Sequence, residues 1–223
     1  MANTTTGQAR GRREQRRLRH QDVSRAQFLD AAEEVFGRKG FHNTTLKEVA
    51  ELAEFSVGSV YSFFESKDDL FRQIFVRRGE EFMPGLRELL DPAADWSPGE
   101  RLDRLVEFEV GFFRRHPHFG RLFLRNSSAA MLSPDRDIDA AIAANFEESM
   151  RLQAGLFRRG QEQGVIRPGD PDVLARLFSG IMSSYQAVDP AVVSDAPATA
   201  ERFPLDELKA LVRAAFVVGG DRG

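Results

Sequence analysis

The segment AEFSVGSVYSFFESK, residues 53–67, holds the side chains that most clearly indicate binding chemistry. Four of them are small, and on the outward face of a short helix they would let its backbone approach base edges in a major groove. These four are Val57, Gly58, Ser59 and Ser62. The hydroxyl of Tyr61, at the rim of that face, would be free to reach a phosphate. The spacing therefore indicates contact with nucleic acid.

This interpretation requires a helix where the composition is typical of a strand. β-Branched and aromatic residues are interspersed with small ones over 57–63, which favours an extended segment. Ser56 can cap a helix here, but a helix so short and glycine-containing is not stable alone. Packing through Phe55, Val60 and Phe64 must therefore hold it in place.

The segment upstream carries clear helix signals. Thr45 and Glu48 have the spacing of a capping box, which predicts a helix over about 46–52. Before it, apolar residues at helical spacing predict a helix over about 24–39, which Gly40 ends. The segment 53–67 thus follows two predicted helices and would begin as the turn after them.

The remainder of the chain is predicted to be helical as well. Ser66 and Lys67 start a helix expected to reach about Phe82, after which Pro84 bends or ends it. Further helices are predicted over about 98–116, 117–131, 135–163, 171–187 and 204–218, with a loop from 189 to 204. No convincing strand and no internal repeat emerges, so the predicted fold class is all-α.

The amino-acid composition excludes several classes of protein. Of the 223 residues, 42% are hydrophobic and 29% charged, and no apolar run approaches the roughly 18 residues of a membrane span. The absence of Cys excludes disulfides and thiolate metal ligands. We therefore expect a cytoplasmic protein with no membrane partner.

Charge is unevenly distributed along the chain. Residues 1–20 contain six Arg and one Glu, a formal charge of +5, so the rest carries −8 of the net −3. A basic arm on an acidic body indicates a polyanion partner for the arm alone. The alternative is a solubilising tail. In both cases we expect residues 1–20 to be a disordered Arg-rich arm.

No group of residues has the composition of a catalytic or metal site. His116 and His118 flank Pro117 without a neighbouring carboxylate, and the other two histidines are distant in sequence. Ser127 and Ser128 lack the context of a nucleophile elbow. The sequence therefore predicts no catalytic residue, no metal and no cofactor.

The run FGRKGFHNTTLKEVAELA and the following SVGSVYSFFESKDDLF resemble the DNA-binding domain of the tetracycline-repressor (TetR) family of transcriptional regulators. The likeness covers about residues 24–75, and its residues in register are Thr44, Thr45, Ala50, Ala53, Ser56, Gly58, Tyr61, Phe64, Ser66, Lys67 and Leu70. It implies a helix-turn-helix DNA-binding domain over 21–66 and a larger helical ligand-binding and dimerisation domain over 67–223. It also implies a homodimer on a pseudo-palindromic double-stranded DNA operator, most often a repressor released by a small-molecule effector. Activation is the open alternative.

The resemblance assigns further contacts by register. Thr45 and Lys47 would touch phosphate or an outer base, and the four small residues would face the groove. Tyr61 and Lys67 would hold phosphates, with Lys67 at a helix N-terminus where backbone N–H groups assist.

Two residues depart from the family pattern. Glu54 stands where the family usually has Gly, and a left-handed backbone there would cost roughly 1 kcal/mol or more. Phe63 replaces a His or another polar ring, so one phosphate contact is expected to be missing. The Arg-rich arm could offset the weaker DNA affinity.

A ligand pocket is expected between helices of the C-terminal domain. Its aromatic candidates are Phe112, Phe113, Phe119, Phe123, Phe146 and Phe178, and its polar candidates are Arg125, Asn126, Asn145, Gln153 and Tyr185. For each residue the alternative is ordinary core packing. The composition mildly favours an apolar or aromatic ligand.

Apolar stripes on the predicted helices 171–187 and 204–218 fit a two-fold four-helix interface. The stripe residues are Leu174, Leu177, Ile181, Leu208, Leu211, Val212 and Ala215. The alternative is burial within one chain.

A function of a different class would be an all-α small-molecule-binding protein or enzyme with an incidental helix-turn-helix. An enzyme would need a polar catalytic cluster in the C-terminal part, which the sequence does not reveal.

Overall fold

The computed structural model describes the backbone of residues 4–132, 140–194 and 204–218, and the side chains of 22–126, 140–194 and 204–218. Within these ranges the chain forms the helices α1 (Thr4–Lys39), α2 (Leu46–Leu52), α3 (Val57–Tyr61), α4 (Lys67–Leu89), α5 (Pro98–Arg115), α6 (Pro117–Leu132), α7 (Ala140–Glu162), α8 (Pro171–Gln186), α9 (Pro190–Val193) and α10 (Leu205–Phe216). The described part contains no strand beyond one isolated bridge between Ile166 and Val217. The predicted all-α class is confirmed. Contacts divide the chain into two compact units, Met1–Ile74 and Phe75–Gly223, called the N-terminal and C-terminal units below.

In the N-terminal unit, α1 packs on α2 and α2 packs on α3. The fully buried side chains at its centre are Phe28, Phe36, Val49, Val60, Leu70 and Ile74. Each stabilises the unit by about 1.5–3 kcal/mol relative to an exposed position. The marginal helix α3 is therefore held by tertiary packing.

The structure corrects the start of the first helix. The backbone of residues 4–20, expected to be a disordered arm, continues α1, which begins at Thr4 rather than near Ser24. Arg, Gln, Glu and Leu are good helix formers, and no Pro interrupts the segment. Once the buried part of α1 supplies a nucleus, adding a turn requires no further nucleation.

Helix α4 also continues past its predicted end. Pro84 lies inside it, although proline removes a backbone donor and costs about 3 kcal/mol in a helix interior. The continuation buries Met83 and Leu86, and this burial offsets the cost. Gly85 permits the close approach of α5, since a Cβ there would lie 2.7 Å from the Phe108 ring.

The core of the C-terminal unit takes residues from five helices. Helices α4, α5, α7, α8 and α10 each contribute buried residues. Examples, in the same order, are Met83, Leu102, Phe157, Phe178 and Val212. Ion pairs on the surface join α5 to α10 through Asp103 with Arg213 and through Glu107 with Lys209.

The loop between α4 and α5 is organised by one buried cation. The guanidinium of Arg101 donates to the carbonyls of Trp96 (3.1 Å) and Pro92 (3.3 Å), and also to those of Asp91 and Ala94. These bonds tie four carbonyls of the loop over residues 91–96 to one side chain of α5.

The other helix boundaries lie close to those predicted. α2, α5 and α8 begin at the predicted caps, where Thr45, Ser97 and Asp170 accept bonds from backbone N–H groups. The loop expected from 189 to 204 contains the short helix α9, capped by Asp189. Residues 133–139, where the start of the α7 helix was predicted, lie outside the described residues.

Candidate nucleic-acid interface and ligand site

The turn between α2 and α3 has the strained backbone anticipated from the sequence. Glu54 has φ of 61°, and among the described residues no other non-glycine residue has a positive φ. The Phe55 N–H bonds to the Ala50 carbonyl at 2.9 Å and closes the turn. A side chain in this left-handed region costs about 1–2 kcal/mol relative to the right-handed one.

Helix α3 has only five residues, about one and a half turns, and is capped by Ser56. The Ser56 hydroxyl accepts from the Ser59 N–H at 3.1 Å, which satisfies one donor at the helix start. The helix ends at Tyr61, earlier than the predicted end near Phe63.

The outward face of α3 is the one predicted. Val60 is fully buried, whereas Gly58 and Ser62 are exposed and Val57 and Ser59 are half-buried. Tyr61 is 59% exposed, which is the largest outward aromatic surface of the unit's described side chains.

The serine hydroxyls of this face already have partners within the helix. Ser59 Oγ lies 2.8 Å from Ser56 Oγ, and Ser62 Oγ donates to the Ser59 carbonyl at 2.6 Å. A surface of this kind offers backbone access, small size and one phenol to a ligand, with no bulky side chain in the way.

Phe63 belongs to the inner face. Its ring centroid lies 5.5 Å from that of Phe28, which also contacts Phe55 at 4.7 Å and Phe64 at 6.3 Å. Three rings around Phe28 thus fasten α3 to α1, because each aromatic pair adds about 0.5–1.5 kcal/mol beyond area burial. Phe63 supplies no polar atom to a phosphate.

Thr45 caps α2, and Lys47 lies in the first turn of this helix. Thr45 and Glu48 form the predicted capping box, with Thr45 N–H to Glu48 Oε2 at 2.7 Å. Lys39 bonds the same carboxylate, and Lys39 together with Thr45 lowers the Glu48 pKa to about 2. Lys47 is exposed, 3.7 Å from Glu51 in a surface pair that contributes little to stability. The Lys47 ammonium is thus available to an anion.

Lys67 is the first residue of α4. Its ammonium lies over the Phe41 ring, 4.4 Å from the centroid, a cation–π contact that fixes its position. Ser66 caps the helix by accepting from the Asp69 N–H at 3.0 Å.

In the C-terminal unit, four of the predicted pocket aromatics lie together. The Phe113 ring lies 5.6 Å from Phe112, 6.0 Å from Phe119 and 5.3 Å from Phe123. We call these four residues, on α5 and α6, the aromatic cluster. Phe178 is not part of it, because it packs against Phe157 and Phe216 in the core.

The polar residues predicted to line the ligand pocket have different hydrogen-bond partners. Gln153 is buried on α7 and donates to Glu109 on α5 at 3.3 Å. Asn126 instead bonds its own helix at the Leu122 carbonyl, and the Tyr185 hydroxyl accepts from Arg114 at 3.0 Å.

The remaining three candidates lie at the margins of this region. Asn145 and Phe146 are half-buried on α7, and Arg125 is exposed on α6. Asn145 faces Gly79 of α4, where a Cβ would lie 2.4 Å from its Nδ2.

Sequence reasoning missed Glu109. It is 7% exposed, and burial raises the pKa of its carboxyl to about 8. The signal was available: its neighbours one turn away on either side are Leu105, Val106, Phe112 and Phe113, so the helix buries this face.

The predicted dimer stripe is only partly on the surface. Leu174, Leu208 and Val212 are buried in the core of their own chain, so they are corrected from interface to core residues. Ile181 and Ala215 are half-buried against that core. Leu177 and Leu211 are 56% and 55% exposed, and the neighbouring Val173 on α8 is exposed as well.

The described residues offer no support for a metal site or a membrane-spanning helix. No group of three or more His, Cys, Asp or Glu there has the arrangement of a metal site. No described helix is long and apolar enough to cross a membrane.

Comparison with known proteins agrees with the α2–α3 geometry. Residues 28–74 match the family described as bacterial regulatory proteins, tetR family. YfiR of Bacillus subtilis strain 168, an uncharacterised HTH-type transcriptional regulator, is 39% identical over 89 residues, which are 40% of this chain and only 43% of YfiR. RutR of Escherichia coli strain K12, also an HTH-type transcriptional regulator, is 24% identical over 184 residues, 82% of this chain and 84% of RutR.

The fold is shared with a solved structure as well. The ketosteroid transcriptional regulator KstR2 of Mycobacterium tuberculosis superposes with a TM-score of 0.72 at 20% identity, over 87% of this chain and 95% of KstR2. The helix-turn-helix at the matching residues and the all-α fold throughout the described part support a DNA-binding transcriptional regulator of the TetR family.

Proposed function

We propose that this regulator is a homodimeric repressor that binds a pseudo-palindromic operator through α3 and leaves it when a small molecule binds the C-terminal domain. The observation that carries the proposal is the outward face of α3, where small residues and Tyr61 surround an exposed glycine backbone. A helix of this shape fits a major groove, with phosphate contacts from its rim. The proposed contacts are Thr45, Lys47, Val57, Gly58, Ser59, Tyr61, Ser62 and Lys67.

We assign DNA binding to residues 21–66 and ligand binding with dimerisation to residues 67–223. Support for dimerisation comes from Leu177 on α8 and Leu211 on α10, large apolar side chains that a monomer leaves in water. Two copies of such a helix pair can close a four-helix interface with two-fold symmetry. The dimer would then set the spacing of two recognition helices.

Support for an effector comes from the interior of the C-terminal unit. The aromatic cluster and the buried pair Glu109–Gln153 combine apolar walls with polar groups that could orient a ligand. Ligand binding would change the spacing of the recognition helices, so that affinity for the ligand trades against affinity for DNA. Because a regulator must share a compartment with its operator DNA, the proposed location is the cytoplasm.

Selection of bound duplexes from a random DNA pool tests the proposal. We expect an inverted repeat whose half-sites lie about 10–10.5 base pairs apart or a multiple of it, since one dimer must reach successive major grooves on one side of the duplex. Recovery of an asymmetric site would contradict the dimeric mode. Recovery of no preferred sequence would contradict operator binding itself.

A further inference from the structure

Three polar side chains of α7 lie at intervals of four residues on one face of the helix. They are Asn145, Ser149 and Gln153, and we call them the polar ladder. Asn145 faces the backbone of α4 at Gly79, while Gln153 reaches Glu109 on α5. The polar ladder therefore runs from α4 at Gly79 to α5 at Glu109, from half-buried Asn145 and Ser149 to buried Gln153.

The end of the polar ladder at Gln153 has more hydrogen-bond acceptors than donors. Gln153 uses its amide nitrogen twice, donating to Glu109 Oε1 at 3.3 Å and to Ser149 Oγ at 3.2 Å. Its amide oxygen Oε1 is buried and has no hydrogen-bond partner in the described part of the structure. Buried polar atoms are rarely left unpaired in native proteins, so such an atom calls for a partner that binds there.

Glu109 is a second buried acceptor that needs a hydrogen-bond donor. Its carboxyl is buried and takes one bond from Gln153, and none of the ion pairs among the described side chains involves it. A buried carboxyl is stable as a neutral acid or beside a cation. A cationic donor placed between Glu109 and Gln153 Oε1 would satisfy both acceptors at once.

Apolar and aromatic surface adjoins this end of the ladder. Phe112 and Phe113 follow Glu109 by three and four residues, so they lie one turn further along the same side of α5. Both are buried, and Phe113 stacks on Phe119 with an interplanar angle of 3°. Aromatic rings attract organic cations as well as apolar groups.

We propose that the effector is an organic amine, whose protonated nitrogen binds between Glu109 and Gln153 and whose apolar body lies against the aromatic cluster. This inference rests on the proposed function and names the chemical class of its effector. A carboxylate ligand is disfavoured, because it would bring further acceptors and negative charge to Glu109 and Gln153 Oε1. A neutral alcohol can donate one hydrogen bond but carries no charge to stabilise the carboxylate form of Glu109.

Phenethylamine, phenethyl alcohol and phenylpropionate are suitable probes, since they share a ring and differ in the polar end. Calorimetric titration of the full chain should show phenethylamine binding at least tenfold more tightly than the other two. This comparison uses the wild-type protein and so does not depend on the folding of any variant.

Two variants test whether phenethylamine binds at Glu109. Glu109→Gln replaces a buried carboxyl by a neutral group of the same shape and should weaken phenethylamine at least tenfold. Glu147→Gln, which removes an exposed carboxylate from the same helix as Gln153, should leave its affinity unchanged. Phenethylamine should also release selected operator DNA from the wild type and from Glu147→Gln, but not from Glu109→Gln.

Binding of the alcohol or the acid as tightly as the amine, no measurable amine binding, or equal amine affinity in Glu109→Gln would overturn this inference. Failure of all three proteins to bind any selected DNA would overturn the proposed function instead. The calorimetric comparison would still decide whether the site recognises an amine.

Discussion

The amide nitrogen of Gln153 on α7 lies 3.3 Å from Oε1 of Glu109 on α5, within the core of the C-terminal unit. Burial raises the Glu109 pKa from 4.5 to about 8. Between these pH values the native protein holds a proton that the unfolded chain has released. The free energy of unfolding must therefore fall as the pH rises through this window.

Glu109→Gln should remove that pH dependence. We expect the wild type to lose on the order of 1 kcal/mol of stability per pH unit between pH 5 and pH 7.5 relative to the variant, because one proton separates the two states. Urea unfolding at a series of pH values measures the difference. Parallel stability curves for the two proteins would show that Glu109 does not titrate in this range.

Glu54→Gly should stabilise the N-terminal unit by about 1 kcal/mol. Glycine adopts the φ of 61° at residue 54 without the steric cost that any Cβ incurs. Glu54→Ala is the matched control, since it removes the charge and keeps the Cβ. If urea unfolding gave the same gain for alanine as for glycine, charge rather than backbone strain would be responsible.

The Arg-rich start of α1 should contribute to the salt dependence of DNA binding. Each phosphate contact that an arginine makes adds about 0.9 to the slope of log affinity against log salt. A chain lacking residues 1–19 should therefore show a slope shallower by about one to five. Replacing the six arginines of this segment by glutamine keeps its length and separates charge from chain length. An unchanged slope in both variants would mean that the segment does not touch DNA.

Leu177→Glu and Leu211→Glu should each convert the dimer to monomer at micromolar concentration. A charge placed in an apolar interface loses hydration without gaining a partner. Val23→Glu is the control, because Val23 is 56% exposed and lies on α1 of the N-terminal unit. Sedimentation velocity distinguishes the species. A wild-type chain that sediments only as a monomer would contradict the proposed interface.

The sequence predicts those elements whose determinants are local. The capping pairs Thr45–Glu48 and Ser97–Glu100 define helix starts within a few residues, and the structure contains both. A left-handed backbone at residue 54 was considered because the resembling family usually has Gly there, and Glu54 has φ of 61°. Caps and tight turns are encoded within four residues and need no distant partner.

Features that depend on tertiary packing could not be predicted in the same way. Leu174 and Leu177 are three residues apart on one apolar stripe, yet only the first is buried, because α10 and α7 cover one side of α8. Glu109 is an ordinary helix former by composition, and only the packing of α7 on α5 buries it. Pro84 was expected to limit α4, but burial of its neighbours outweighs the local preference.

The outward face of α3 and the flanking Lys67 are the proposed DNA contact. The most direct measurement is fluorescence anisotropy of a selected operator duplex with the wild type and with the double variant Tyr61→Ala, Lys67→Ala. Tyr61 is exposed, and the Lys67 ammonium makes a cation–π contact with the Phe41 ring that contributes about 0.5–1 kcal/mol, so both substitutions should leave the fold intact. The double variant should lose specific DNA binding and keep its ligand binding unchanged, whereas full operator affinity in the double variant would show that this face does not bind the operator.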